Sequence, residues 1–150
     1  MNLQRKKVIA RDREHLRKLV YESIQKYGPN CDLNFIDVSG VEDMDGVFAG
    51  VNRGFNGDIS QWDVSCVETM SNMFHGSQFN GDVSQWNVSD VWELTDMFAY
   101  SQFTGDVSGW KVADDVICVG MFNGSLLELN GQIPEWYRAI EEKQRLEREP

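Results

Sequence analysis

The 150-residue chain contains few of the residues that would point to a membrane protein, a disulfide-stabilised protein or a metal site. Its three cysteines, Cys31, Cys66 and Cys118, are odd in number and widely spaced, which suits free thiols in a reducing compartment. No apolar run is long enough to span a membrane, and no apolar stretch with a cleavage site follows the basic start at residues 1–7. We therefore expect a cytoplasmic protein with neither a secretory signal nor a membrane anchor.

Positive charge is nearly absent from the middle of the chain. Residues 27–110 carry one basic residue, Arg53, and thirteen acidic ones, a net charge of −12, within a chain of net charge −10. An acidic body repels nucleic-acid phosphates and attracts basic proteins, although the same charge also keeps a repeat protein soluble. Direct nucleic-acid binding is not expected. It would require the N-terminal basic residues Arg5, Lys6, Lys7, Arg11, Arg13, Arg17 and Lys18.

One repeated motif fills the middle of the chain. Near-copies of a 24-residue unit begin at Phe55, Phe79 and Phe103, and partial copies precede and follow them. A period of this length is typical of repeat proteins, whose units bury their apolar faces only by stacking on one another. We predict an N-terminal amphipathic capping helix in residues 1–30, a repeat region in 31–133 with units near 36–54, 55–78, 79–102 and 103–128, and a C-terminal helix or tail in 134–150.

Each unit shows two apolar spacings. Ile59, Trp62 and Val64 have the spacing of a leucine-rich-repeat strand, and residues 67–74 have that of a short helical turn. Stacking would place equivalent rings above one another in the core. The predicted columns are Trp62, Trp86, Trp110 and Trp136; Phe55, Phe79 and Phe103; and Phe48, Phe74, Phe98 and Phe122.

The runs FNGDISQWDVSCVETMSNMF and FNGDVSQWNVSDVWELTDMF, with the lead-in CDLNFIDVSGVEDMDGVF, resemble the BspA-type leucine-rich-repeat-like family of bacterial proteins. The resemblance covers about residues 31–126 and supplies no catalytic residues. It implies a short right-handed leucine-rich-repeat-like solenoid, here an α+β repeat with N- and C-terminal capping helices. It also implies a binding role, since most members are cell-surface lipoproteins thought to bind proteins of the host or of neighbouring cells. The chain departs from the family in its small number of units and in lacking a signal peptide or lipid-attachment cysteine near its start.

Two aromatic residues are the candidate anchors of a partner-binding surface. Trp92 stands where neighbouring units have Glu68 and Val116, and Tyr100 stands where they have glycine. Glu68, Asp90, Glu93 and Asp96 are assigned to the surroundings of these anchors. The column Asp37, Asp63 and Asn87, on the outward face of the predicted strands, is a second group of candidate partner-binding residues. Two alternatives stay open: Trp92 seals an edge of the core, and the polar columns are solvated positions without a function.

No catalytic residue, metal or cofactor is predicted, because His15 and His75 are isolated in sequence and no phosphate-binding glycine loop is present. Asp58, Asp82 and Asp106 form a column that either binds a cation or caps its own turns; we favour capping. The predicted function is non-enzymatic protein binding, as a small acidic inhibitor or adaptor of a basic, nucleic-acid-handling protein, such as a phage-type antagonist of a host defence system. The alternative is a bacterial surface or secreted adhesion protein. The oligomeric state stays open.

Overall fold

The computed structural model of the protein describes residues 5–149; residues 1–4 and 150, which belong to the predicted terminal segments, lie outside the described residues. In chain order the elements are β1 (Val8–Ile9), α1 (Arg13–Tyr27), β2 (Ile36–Asp37), a 3-10 helix (Gly50–Asn52), α2 (Leu126–Leu129) and α3 (Glu135–Arg148). β1 pairs in parallel with β2, with Val8 opposite Ile36. Between β2 and α2 the chain consists of turns and irregular segments, with isolated bridges and the 3-10 helix.

The predicted fold class is wrong. Residues 5–149 form three α-helices and one two-stranded parallel sheet. β2 is the only strand among the described repeat units, and it forms where β1 lies beside it. In the later units no strand pairs with this segment among residues 5–149, and a tight turn follows it directly. In that turn Asp63 accepts hydrogen bonds from the Ser65 backbone N–H at 3.0 Å and from its hydroxyl at 2.6 Å. Asn87 makes the same pair of bonds with Ser89. The α+β repeat solenoid is therefore replaced by a small fold of stacked turns with three helices and one short sheet.

The units are joined by a line of parallel bridges, on the segment where a helical turn was predicted. Asp43 bridges to Thr69, Thr69 to Glu93, and Glu93 to Ile117. We call each bridged segment a rung. Backbone N–H groups of one rung donate to carbonyls of the next rung, as the Met70 N–H does to the Glu93 carbonyl at 2.9 Å. We call this side the ladder wall; it comprises residues 43–48, 69–74, 93–98 and 117–122. The side that carries the tryptophans is the indole wall; it comprises residues 36–38, 62–64, 86–88 and 110–112.

Aromatic rings from successive units stack in the core, as their spacing predicted. The Phe74 ring lies 5.3 Å from both Phe48 and Phe98 and is nearly parallel to each. Trp62 and Trp86 stack at 6.4 Å. The Trp86 indole N–H also donates to a carbonyl of the preceding unit at 3.2 Å. The indoles are thus buried without leaving their donors unpaired, which would otherwise oppose their burial.

The terminal helices cover the two ends of this core. α1 starts after Asp12, whose carboxylate accepts the His15 N–H at 2.8 Å, and it buries Leu16 and Val20. α3 packs Tyr137 edge to face on Phe122, with ring centroids 5.1 Å apart. Burial of large apolar side chains contributes about 1.5–3 kcal/mol each, before the entropy of ordering them is counted.

The backbone groups at the two outer edges of the ladder wall are satisfied differently. At the first rung, Arg13 donates to the Asp45 carbonyl, and the Asn52 side-chain amide donates to the Val47 carbonyl at 3.0 Å. These side chains replace the backbone donors of a preceding rung. At the last rung, three alternate backbone N–H groups find no acceptor among residues 5–149; they belong to Cys118, Gly120 and Phe122.

Candidate protein-interaction surface

The structure divides the predicted partner-binding residues between two sides of the molecule. The ladder-wall side carries Glu68, Trp92, Glu93, Asp96 and Tyr100; the indole wall carries Asp37, Asp63 and Asn87; and Asp90 is exposed in the turn between them. Within residues 5–149 no hydrogen bond or ion pair joins the two sets. The two groups of candidate residues therefore lie apart in the structure.

The carboxylates of the indole wall bind their own turns. Asp37 accepts hydrogen bonds from the Ser39 hydroxyl at 2.7 Å and backbone N–H at 2.9 Å, and it pairs with Lys7 at 3.1 Å. These donors lower the pKa of the Asp37 carboxyl to about 2, and the hydrogen bond from the Ser39 hydroxyl contributes most. Hydrogen bonds from Ser65 lower the pKa of Asp63 in the same way. The Asp and Asn residues of this column thus have a structural role that does not require a partner.

The aspartate column beside the turn glycines has a similar structural role. Asp82 accepts hydrogen bonds from the Ser84 backbone N–H at 2.9 Å and hydroxyl at 2.7 Å, and these bonds lower the pKa of its carboxyl. Asp58 and Asp106 make the same bonds with Ser60 and Ser108. In the described part of the chain, no group of three or more His, Cys, Asp or Glu side chains is arranged to hold a metal ion.

Several N-terminal basic residues are held by the chain itself. The Arg5 guanidinium lies 3.8 Å from the centre of the Tyr27 ring and donates to the Asp32 carbonyl at 3.0 Å. Lys18 lies 3.9 Å from Glu22. With Lys7 and Arg13 also engaged, this arrangement reduces the positive charge that would face a nucleic-acid backbone.

An exposed apolar patch lies at the last two rungs of the ladder wall. Trp92 is 49% exposed, Ile117 40% and Val119 57%. The Ile117 N–H donates to the Trp92 carbonyl at 2.9 Å, which places the two backbones side by side. Earlier rungs carry polar residues at the equivalent positions: Asp43 and Asp45, Thr69 and Ser71, Glu93 and Thr95. We call Trp92, Ile117 and Val119 the Trp92 patch.

Sequence reasoning identified Trp92 and missed Ile117 and Val119. The signal was available, because both residues replace polar residues at aligned positions and flank Cys118, which is buried. When two apolar residues flank a buried residue, and other units carry Thr and Ser at the same positions, the pattern indicates outward-facing apolar side chains.

Carboxylates without an ion-pair partner occur around this patch. Glu93 bridges to Ile117, and its carboxylate accepts the Thr95 N–H at 2.9 Å. Glu68, Asp90, Asp96 and Asp115 come from the same two units or the preceding one. None of these five residues belongs to an ion pair within residues 5–149. The patch thus combines an apolar centre with a negative surround.

Tyr100 forms a separate exposed feature. Its φ of 58° lies in the left-handed region, where the equivalent residues are Gly76 and Gly124 with φ of 64° and 69°. The ring is 64% exposed and meets His75 edge to face at 5.6 Å. It also lies over Gly124, where an added Cβ would stand 2.4 Å from the tyrosine Cδ1. A bulky residue in this backbone conformation is strained by about 1–2 kcal/mol, which a glycine avoids.

Comparison with known proteins matches residues 16–136 to the family described as "Mycoplasma protein of unknown function, DUF285". The resemblance to the BspA-type leucine-rich-repeat-like family is therefore wrong, because the family that matches the repeat region is this one. No curated protein and no solved structure matches the chain. None of the helices in residues 5–149 is long and apolar enough to cross a membrane.

Proposed function

Because the chain belongs to the DUF285 family, whose description assigns no function, we propose from its surface that it is a non-enzymatic protein-binding module. Its partner is a basic, nucleic-acid-handling protein, which it inhibits or tethers, as a phage-type antagonist of a host defence system would. The observation that carries this proposal is the Trp92 patch with its unpaired carboxylates.

The patch has the two properties that a docking site for a basic protein needs. Trp92, Ile117 and Val119 offer apolar area that a partner would remove from water, at about 25 cal/mol per Å². Aromatic anchors of this kind account for much of the affinity of protein interfaces. The surrounding carboxylates attract a cationic surface over a distance of about a Debye length, roughly 8 Å at physiological salt, and so speed the encounter.

The isolated histidines support binding rather than catalysis. His15 Nδ1 accepts the Arg11 backbone N–H at 3.0 Å, and His75 packs against Tyr100. Neither histidine is hydrogen-bonded to a serine, threonine or cysteine side chain among the described residues, as a nucleophile and its base would be.

The test begins with capture of partners from the native host by the immobilised protein, followed by affinity measurements with the purified partner. We expect a basic nucleic-acid-binding protein whose affinity falls as salt rises from about 50 to about 300 mM. Trp92→Ala is expected to weaken binding by about 2 kcal/mol, roughly 30-fold.

The repeats themselves supply mild replacements for the rest of the patch. Ile117→Thr and Val119→Ser restore the residues found at Thr69 and Ser71, and they should each weaken binding. Val51→Ser is the matched control, since Val51 is 71% exposed in the 3-10 helix, outside the patch. Affinity that is indifferent to salt and to all three patch substitutions would contradict the proposal.

We place the protein in the cytoplasm. Its three cysteines are free, and Cys31 and Cys118 are buried apart from each other, which suits a reducing compartment. The alternative of a surface or secreted adhesion protein depended on the resemblance to the BspA-type family and loses that support. Fractionation of native cells distinguishes the two, because recovery outside the cell would contradict a cytoplasmic inhibitor.

A further inference from the structure

A groove of about 360 Å³ lies at the end of the indole wall, between the last repeat unit and α3. Trp110 and Val112 line it from the repeat unit, and Trp136 and Ile140 line it from the helix side. Val112, Trp136 and Ile140 are only partly buried and pack against the edge of the core. The groove thus exposes apolar surface that belongs to the core in earlier units.

The groove exists because the repeat is interrupted after Trp136, the fourth tryptophan of the indole column. Trp62 and Trp86 are each followed by a tripeptide whose central valine, Val64 or Val88, is buried under the next unit. Trp136 occupies the next indole position, since its Nε1 donates to the Val107 carbonyl at 2.9 Å, the equivalent of the bond that Trp110 makes. The chain then continues as α3, so no tripeptide follows to cover Val112.

Two lysines flank this apolar floor. Lys111 comes from the last repeat unit and Lys143 from α3, and neither belongs to an ion pair within residues 5–149. Asp114 also lines the groove, which leaves a net charge of +1 from these three side chains. Positive charge is unusual here, because Arg53 is the only basic residue in the preceding segment, residues 27–110. An aliphatic group next to a carboxylate complements this lining.

We propose that the groove binds an extended segment of a partner protein in which valine or isoleucine is adjacent to aspartate or glutamate. The chain's own repeats show which residues stack on the indole wall: Asp63 precedes Val64, and a serine follows. A segment of that composition places its aliphatic side chain over Val112 and its carboxylate beside Lys111. The groove differs from the Trp92 patch in position and in charge, so this inference goes beyond the proposed function and does not depend on it.

The test is a titration of the isotope-labelled full chain with the peptide acetyl-Gly-Asp-Val-Ser-Gly-amide, followed by NMR. We expect saturable shifts at the amides of residues 110–114 and 139–143 and at the Trp136 indole N–H. One buried valine and one or two exposed ion pairs correspond to a Kd of roughly 1 mM. The peptide with Lys in place of Asp should bind about three- to tenfold more weakly.

Variants on the exposed side of α3 provide the controls, because they leave the core untouched. Lys143→Gln should weaken binding about two- to fivefold, whereas Arg138→Gln, a basic residue outside the groove, should leave it unchanged. Ala139→Phe places a ring in the groove and should abolish the shifts. The inference is overturned by absent shifts, by equal binding of the two peptides, or by shifts that persist in Ala139→Phe. Concentration-dependent shifts of the groove without peptide would assign it to a second copy instead and would also overturn it.

Discussion

Substitution of Gly57 by alanine tests how closely successive units approach. A Cβ added at Gly57 would lie 1.8 Å from the Cys31 carbonyl oxygen and 2.8 Å from its carbon. Since φ at Gly57 is not in the left-handed region, the effect isolates this clash from backbone strain. The two backbones must separate by more than 1 Å, because ordinary van der Waals contact begins at 3.4 Å.

The magnitude follows from the hydrogen bonds that flank this contact. The Asp58 N–H donates to the Cys31 carbonyl at 3.2 Å, and the Asp58 carbonyl accepts the Leu33 N–H at 3.0 Å. Each bond contributes about 1 kcal/mol net, and overpacking adds about 1–3 kcal/mol. We therefore expect Gly57→Ala to lower the free energy of unfolding by about 3–5 kcal/mol.

Gly109→Ala is the matched control. Nothing lies within 4 Å of a Cβ at Gly109, and its φ is also outside the left-handed region. The alanine should stabilise the protein by about 0.4–1 kcal/mol, because it reduces the entropy of the unfolded chain. Urea denaturation followed by tryptophan fluorescence measures both variants. A Gly57→Ala variant as stable as Gly109→Ala would refute the close stacking of the first unit on the chain before it.

Three further predictions concern strain, pH and the core. Tyr100→Gly should be about 1 kcal/mol more stable than Tyr100→Ala, because alanine keeps a Cβ in the left-handed region. At Gln102, which has an ordinary φ, the alanine variant should be more stable than the glycine variant. If glycine were the more stable variant at both sites in urea denaturation, or alanine at both, the result would contradict the strain at Tyr100. The unfolded Asp37 carboxyl binds its proton at about pH 3.9 and the folded one only at about pH 2, so its stabilising contribution is complete above the first value and disappears towards the second. The difference in urea midpoint between wild type and Asp37→Asn should therefore shrink from pH 6 to pH 2, and a constant difference would argue against the lowered pKa. Phe74→Ala should cost about 3–5 kcal/mol of unfolding free energy, measured in the same way, and a loss below 1 kcal/mol would be inconsistent with a ring stacked on both sides.

Spacing in the sequence predicted which side chains are buried far better than it predicted the backbone that carries them. Phe74 and Trp86 lie in ring columns at the positions that a 24-residue period requires. The strand expected at residues 59–64 is absent, because apolar spacing specifies which way side chains face and not whether the backbone is extended. Hydrogen bonds from serine N–H groups to Asp63 and Asn87 stabilise the turns that follow directly, and β2 is extended because β1 pairs with it.

The candidate site was only partly accessible from the sequence for a related reason. Trp92 is conspicuous as a single residue, whereas Ile117 and Val119 become informative only when neighbouring units are known to lie side by side. The acidic residues were grouped by their charge, yet Asp37 and Asp63 use one carboxylate oxygen for their own turns. The sequence shows that a residue is charged but not which hydrogen-bond donors its carboxylate already accepts in the fold. The family resemblance failed similarly, since a shared turn and tryptophan pattern did not identify the family.

The unequal ends of the ladder wall give the molecule a direction. Arg13 and Asn52 occupy carbonyls of the leading rung, whereas the trailing rung keeps three donors without acceptors in residues 5–149. A head-to-tail filament needs both edges open in every copy. A second copy that met the trailing edge would present a leading edge at which the Asp45 and Val47 carbonyls already accept hydrogen bonds. We therefore expect two side chains, Arg13 of the N-terminal helix and Asn52 of the 3-10 helix, to oppose the growth of a filament.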